Sequence, residues 1–247
     1  MKKILYSALF LYGFVSVGFA QTRMTVGLRT GVNVASYKFD FGTTPAGFSS
    51  PISNVTLFSI GVPLEIAFNS HFALQAELNF IQKGFSSKTD FSGQGFTLKS
   101  EGAMTVNWLE IPILAKAKFG APDGFGGGIF FGPSIGYGLS GRSKGTSATV
   151  INGVANTTST DEALNFKEDE HSRVDVGLNF GGEVHYGGIF LDVRYQLGLT
   201  NMVTDKSTIT AGSGQSVSAR TRGLGITVGY RIPIGIGTVK EVKKSKK

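Results

Sequence analysis

The stretch GIFLDVRYQLGLT, Gly188 to Thr200, decides the fold. Taken in steps of two, it separates into two faces. Leu191, Val193, Tyr195, Leu197 and Leu199 fall on one side; Asp192, Arg194 and Gln196 fall on the other. Such alternation marks a β-strand with one apolar and one polar face. In a soluble sandwich the apolar face would be the core, and a strand would run for about 5–6 residues. This strand is roughly twice as long and carries an acid and a base on its polar face. Lipid outside and a polar lumen inside account for both features, which predicts a transmembrane β-barrel.

Outward from that stretch, alternation is readable over 24–37, 55–68, 72–86, 103–119, 128–141, 172–186, 188–201 and 220–235. The fold class expected is therefore all-β, an eight-stranded antiparallel up-and-down barrel. The connections alternate in length. A Gly/Ser/Pro-rich stretch from Lys38 to Asn54 precedes a tight Asn69-Ser70-His71 turn, and a loop from Ser87 to Gly102 precedes the shorter Gly120 to Gly127. The longest loop, Arg142 to His171, is followed by a minimal turn at Gly187, and last comes Met202 to Ala219. Outer-membrane barrels have short periplasmic turns and longer loops outside. With the first strand running outward, both termini are expected in the periplasm and the long loops outside the cell.

Parity then assigns the faces. Leu28, Val32, Phe58, Val62, Leu78, Ile111, Ile113, Ile135, Val176, Phe180 and Ile226 are among those turned to lipid. Inward come Asn33, Gln75, Asn79, Asn179, His185 and Gln196, and the charged residues Arg29, Glu65, Glu77, Glu110, Lys116, Lys118, Glu183, Asp192, Arg194 and Arg231. Charges removed from water are tolerable when paired, so these ten are expected to form a lumen charge network. An eight-stranded barrel is just wide enough for side chains to fill, which predicts a plugged barrel rather than an open pore. Pro63, Pro112, Pro133 and Pro233 lie within strands, where each deletes a ladder hydrogen bond, so local bulges are expected beside them. Parity also turns Trp108 inward, unless a bulge near Pro112 reverses it.

The ends of the chain read differently. Residues 1–20, MKKILYSALFLYGFVSVGFA, have a basic start, an apolar middle and small residues before Gln21, the pattern of a secretory signal peptide. Residues 21–236 are then the barrel, and 237–247 a basic, disordered periplasmic tail, with contact to anionic lipid headgroups as the alternative. The mean hydropathy of +0.08 fits averaging between a lipid face and a lumen face. There is no cysteine, so no disulfide is needed outside the cytoplasm. The formal charge of +7 falls to +5 without Lys2 and Lys3, and several remaining lysines are in the tail. No basic surface interleaved with aromatics is present, and nucleic acid is excluded as a partner.

Few residues suggest chemistry. Gly136 to Gly141 matches GxGxxG, but the dinucleotide reading needs a helix to follow, and none does; small inward residues explain the glycines, and no cofactor or metal is expected. Glu170, His171 and Ser172 contain the groups of a membrane-embedded hydrolase, yet neighbours in a strand point to opposite faces. His185 is expected to hydrogen-bond Glu183 or Asp192. Asp161, Glu162, Glu168, Asp169 and Glu170 cluster in the longest loop, where a solvated loop competes with a divalent-ion or lipopolysaccharide-bridging role.

At Trp108-Leu109-Glu110-Ile111-Pro112-Ile113-Leu114-Ala115-Lys116 the chain resembles the PorT-like outer-membrane β-barrel family of Gram-negative bacteria, whose fourth strand is typically of the (Y/W)LEIPLLLK type. Arg194-Tyr195 followed by Gly198-Leu199-Thr200-Asn201 is similar to that family's RY…GLxN strand. Ala115-Lys116 departs from it, since bulkier residues are common there. The resemblance implies an eight-stranded outer-membrane barrel in a family linked through its namesake to protein secretion and surface maturation. The expectation is a monomeric, non-enzymatic barrel acting in envelope structure, surface binding or a secretion assembly. Its partners would be outer-membrane lipid, lipopolysaccharide and envelope or secretion proteins. A narrow channel for small solutes is the alternative, ahead of a hydrolase.

Overall fold

A computed structural model of the chain describes residues 23–40, 52–93, 95–164, 166, 171–203 and 218–234. The signal segment 1–20 and the tail 237–247 lie outside the described residues. The strands are β1 (Arg23–Asp40), β2 (Ile52–Ser53), β3 (Val55–Ala67), β4 (Phe72–Gly93), β5 (Phe96–Gly120), β6 (Phe125–Ile151), β7 (Val154–Ala163), β8 (Val174–Tyr186), β9 (Ile189–Gly198) and β10 (Ser218–Ile234). Every neighbouring pair is antiparallel. β1, β3, β4, β5, β6, β8, β9 and β10 follow one another, and β10 returns to β1 with Met24 opposite Ile234. The result is a closed eight-stranded barrel. Closure leaves no sheet edge within the ring, the condition for placing a backbone in lipid.

Alternation survives along each wall. On β5, Val106, Trp108, Glu110, Leu114 and Lys116 are buried inward, while Leu109, Ile111 and Ile113 are exposed outward. An outer band of aliphatic side chains circles the barrel between two markers. At the end bearing the short turns stands a collar of exposed Phe68, Phe72, Phe119, Phe125, Tyr186 and Tyr230. At the other end a polar chain crosses the outer face. Gln82 Oε1 accepts from the Phe58 N–H at 3.2 Å, Gln82 Nε2 donates to Asn107 Oδ1 at 2.9 Å, and Asn107 Nδ2 donates to Ser140 Oγ at 2.8 Å. From Phe72 to Gln82 β4 advances about 33 Å along itself; tilted about 40°, that is an apolar belt about 25 Å tall. We call the two ends the turn end and the loop end.

The prolines behave differently from expectation. Beside Pro63 the β1–β3 ladder skips from Val26–Leu64 to Arg29–Gly61; beside Pro112 the β4–β5 ladder skips from Ala76–Ile113 to Asn79–Glu110. Beside Pro133 the β5–β6 ladder skips from Pro112–Ser134 to Ala115–Phe131. In each case the register resumes unshifted, so these are gaps in the ladder and not bulges. A missing N–H costs its own hydrogen bond, and an extra residue is not required to absorb that. The shift that does occur lies higher, between Asn107 and Trp108, where Leu139 is the extra residue on β6. Trp108 stays inward and fully buried.

Two of the expected long loops are largely strand. Ser87 to Gly102 continues β4 and β5 as a hairpin paired up to Gly93–Phe96. Most of Arg142 to His171 forms the β6–β7 hairpin, which turns at Asn152-Gly153 between Ile151 and Val154. Both turn residues have positive φ, 50° and 82°, the geometry of a type I′ turn, for which Asn-Gly is the preferred pair. Beyond Ser140 the strands β4, β5, β6 and β7 therefore leave the barrel as a four-stranded sheet, about 35 Å along β6.

Candidate functional site

The lumen is crossed by three stacked clusters of ion pairs. Nearest the turn end, Lys116 Nζ meets Glu65 and Glu183, each at 2.9 Å, and Gln75 Oε1 at 2.8 Å. Lys118 joins Glu65 at 2.5 Å, and Arg231 bridges Glu65, at 3.1 Å, to Glu183. In the middle, Glu77 accepts from Arg29 at 2.8 Å and from both terminal nitrogens of Arg194, while Asp192 binds the same two arginines. Asn79 and Gln75 donate to the remaining Glu77 lone pairs. Toward the loop end, Lys83 lies 2.6 Å from Glu110 and 3.0 Å from Asp175, which also accepts from the Thr221 hydroxyl. All ten charged residues read from parity point inward. Lys83 and Asp175 were missed, although the same parity places both there.

Six carboxylates thus face six cations among the described lumen residues, unevenly distributed. The turn-end cluster has one cation in excess, the middle is balanced, and the loop-end cluster has one carboxylate in excess. His185 sits by the turn end, 3.7 Å from Glu183 with its Nε2 3.3 Å from the Ala121 carbonyl; it does not reach Asp192.

Above the third cluster the interior changes character. Tyr37, Ile81, Val106, Trp108, Met202 and Ala219 form a buried apolar core, packed by Phe39, Phe85, Met104, Leu164, Phe166 and Val203. It caps the loop end of the lumen. Alternation alone did not reveal it, because inward was equated with polar. His171 is seated in this cap. Its Nδ1 lies 2.9 Å from the Ser172 carbonyl, which can only accept, so Nδ1 carries the proton and Nε2 accepts from the Tyr37 hydroxyl at 3.0 Å. The GxGxxG glycines serve the same packing. A Cβ at Gly136 would come within 3.3 Å of the Trp108 ring, one at Gly138 within 3.0 Å of Phe166, and one at Gly141 within 2.9 Å of Leu164. They lie in a strand and leave room for the rings.

The sequence comparison agrees with the closed eight-strand ring and its outward apolar belt. The profile of the outer membrane protein β-barrel domain family matches residues 19–204. The chain belongs to that family. No curated protein matches it in sequence. Among solved structures it is similar to Ail, the attachment invasion locus protein of Yersinia pestis, at 8% identity and a TM-score of 0.37, over 84% of this chain and 98% of that one. Neisserial surface protein A is similar at 10% identity and a TM-score of 0.31, over 84% and 96%. The N-terminal β-barrel domain of Pseudomonas aeruginosa OprF is similar at 8% and 0.31, over 86% and 100%.

The described residues offer two regions outside the lipid-facing belt, the buried lumen and the exposed loop-end sheet. Among the described residues, His171 and the Ser172 hydroxyl are not hydrogen-bonded to each other as a base and nucleophile would be. His171 is engaged on both nitrogens, and the Ser172 hydroxyl donates to the Val174 carbonyl at 2.9 Å. Glu170 lies outside the described residues, as do Glu168 and Asp169. In the loop-end sheet Asp161 takes a two-point contact from Arg142, at 2.5 and 2.8 Å, and Lys144 at 3.7 Å. Those bonds hold the Asp161 carboxyl below its usual range, the Arg142 hydrogen bond first among the causes. Its neighbour Glu162 follows it in an extended strand and so points to the opposite face. The pair is not arranged to share a cation.

Proposed function

We propose that this is a non-enzymatic, non-conducting barrel of the PorT-like type whose working part is the loop-end sheet. In this reading the segment 1–20 is removed on export, both termini and the tail 237–247 are periplasmic, and the loop end faces the cell exterior. There the sheet and loops meet lipopolysaccharide and envelope or secretion proteins. One observation carries the sealed-lumen reading. Each of the three ion-pair clusters joins side chains from different walls of the ring, and the cap of Trp108, Tyr37 and Met202 closes the loop end above them. A path for solute would have to break paired charges that water does not replace cheaply.

The test is conductance of the refolded protein in planar bilayers, beside a Glu110→Ala/Arg194→Ala double variant that removes one charge of each sign. The native barrel should show no steady current, and the variant should open. Stable ohmic conductance in the native barrel would overturn the sealed reading and favour a narrow channel for small solutes.

A further inference from the structure

The loop-end sheet has one unfinished side. β7 pairs with β6 along its whole length, and every β7 residue is exposed. Among the described residues no strand takes its other edge. The register identifies the groups that lie there. The Leu164 N–H donates to the Gly141 carbonyl at 2.9 Å, one step below the Arg142–Ala163 pair. Hydrogen-bonded and non-bonded pairs alternate along an antiparallel ladder, so the even-numbered residues from Val154 to Glu162 bond to β6. The N–H and C=O groups of Ala155, Thr157, Ser159 and Asp161 are therefore turned to the open edge.

Edges of this kind are normally blunted by lysine, proline or a bulge. From Val154 to Thr160 the sequence is VANTTST, with no charge and no proline, and with three threonines suited to a strand. Charge enters only at the root, as Asp161 and Glu162.

We propose that this edge pairs with the same edge of a second copy of the chain, held in an apposed membrane. The position of the two acids selects that arrangement. Copies side by side in one membrane have parallel axes, so their β7 strands run parallel. Parallel strands that meet through the same open edge are offset by one residue, which sets Asp161 of one copy beside Glu162 of the other on strands about 4.8 Å apart, and like charges so placed repel. Copies approaching from opposite sides run antiparallel. Centred on Thr157, they place Ala155 opposite Ser159 and Val154 opposite Thr160, and the two acids fall against the turn residues Gly153 and Asn152. Residues whose edge groups point outward then meet one another, as an isologous two-fold contact requires. Val154, 72% exposed at the end of the row Phe96–Ile151–Val154, is covered by Thr160 of the other copy. Within one membrane the chain stays a monomer.

The proposal rests on the loop end facing outward, which protease accessibility of the β6–β7 hairpin on intact vesicles tests separately. The refolded chain is inserted into preformed liposomes and vesicle clustering is followed by light scattering. Native vesicles should cluster, and Thr157→Pro or Ser159→Pro should return scattering to that of protein-free vesicles. Both remove an N–H from the open edge and none that β6 accepts. Because the chain has no cysteine, Thr157→Cys should give a disulfide dimer on clustered vesicles, the antiparallel Cα spacing of about 5.5 Å lying in the disulfide range. A dimer between Asp161→Cys and Glu162→Cys chains mixed on unclustered vesicles would show side-by-side pairing and overturn the proposal. So would native vesicles that stay dispersed, the outcome expected if the edge instead serves a foreign strand, or clustering indifferent to both prolines.

Discussion

The ion pairs inside the barrel and those on the loop-end sheet are built from the same groups at the same distances. Arg194 Nη1 meets Glu77 at 2.8 Å, and Arg142 Nη2 meets Asp161 at 2.8 Å. Their surroundings differ completely: the first pair is at most 1% exposed, and the second 62% and 45%. Removing one partner in the lumen strands a charge that no solvent can take up, whereas on the sheet water replaces what is lost. The contact distance is the same in both places; the energetic consequence is set by burial.

The largest effect should follow from Glu77→Ala. Arg29 and Arg194 would be left to share Asp192, and breaking a buried pair costs about 3–5 kcal/mol. Urea unfolding in liposomes, read by fluorescence of the sole tryptophan Trp108, measures it. Glu77→Gln, which keeps hydrogen-bonding capacity but not charge, should fall between that variant and the native protein. A loss below about 1 kcal/mol would mean that the lumen behaves as an exposed surface, and the contrast between the two regions would be broken.

Next in size is Tyr37→Phe, in the cap. It deletes the donor to His171 Nε2 and leaves a buried acceptor unsatisfied, which costs about 1–3 kcal/mol. The same unfolding assay reads it, and no change would show that the cap holds by apolar packing alone. Smaller again is Gly153→Ala, at φ 82°. A Cβ in the left-handed region costs about 1–2 kcal/mol, but only the hairpin tip should feel it. Hydrogen exchange should rise for β7 with the barrel's unfolding midpoint unmoved. A drop in the midpoint would tie the sheet to the barrel as one cooperative unit.

These variants sit at positions of unequal legibility. Glu77 and Arg194 were placed inward by alternation alone, since a period of two reads a wall face directly. Which acid meets which base was not readable, because partners such as Lys116 and Glu183 come from different walls and depend on barrel registers. Lys83 and Asp175 were within reach of the parity rule and were passed over. Parity placed Trp108 inward, as it is, but that Tyr37 and Met202 join it in an apolar cap was hidden, because that contact depends on barrel registers and on the loop-end closure. The Asn152-Gly153 turn was the clearest missed signal. Asn-Gly between Ile151 and Val154 is a strong local hairpin cue, but the Ser/Thr-rich surroundings were read as a loop. Pro63, Pro112 and Pro133 were recognised as ladder defects, but sequence could not say whether an inserted residue or a skipped pair would absorb them.

The smallest effect sharpens the comparison from the exposed side. Arg142→Ala should leave the barrel's unfolding midpoint unchanged, because Asp161 stays in water and keeps Lys144 nearby. Acidification tests the same contact without a mutation. The folded Asp161 carboxyl titrates below its unfolded value, so its pairing contributes fully above the usual carboxylate pKa of about 3.9 and is lost only as pH falls through the lower, folded value. Hydrogen exchange at Ser143 and Glu162, the adjacent pair whose N–H groups bond across β6 and β7, corrected for its intrinsic pH dependence, should therefore be flat from neutral pH to about pH 5 and rise only in stronger acid. A rise that begins near neutrality would place another titrating group at the root of β7. An Arg142→Ala protein that loses barrel stability would show that the root of the sheet braces the wall, and that exposure alone does not mark an ion pair as dispensable here.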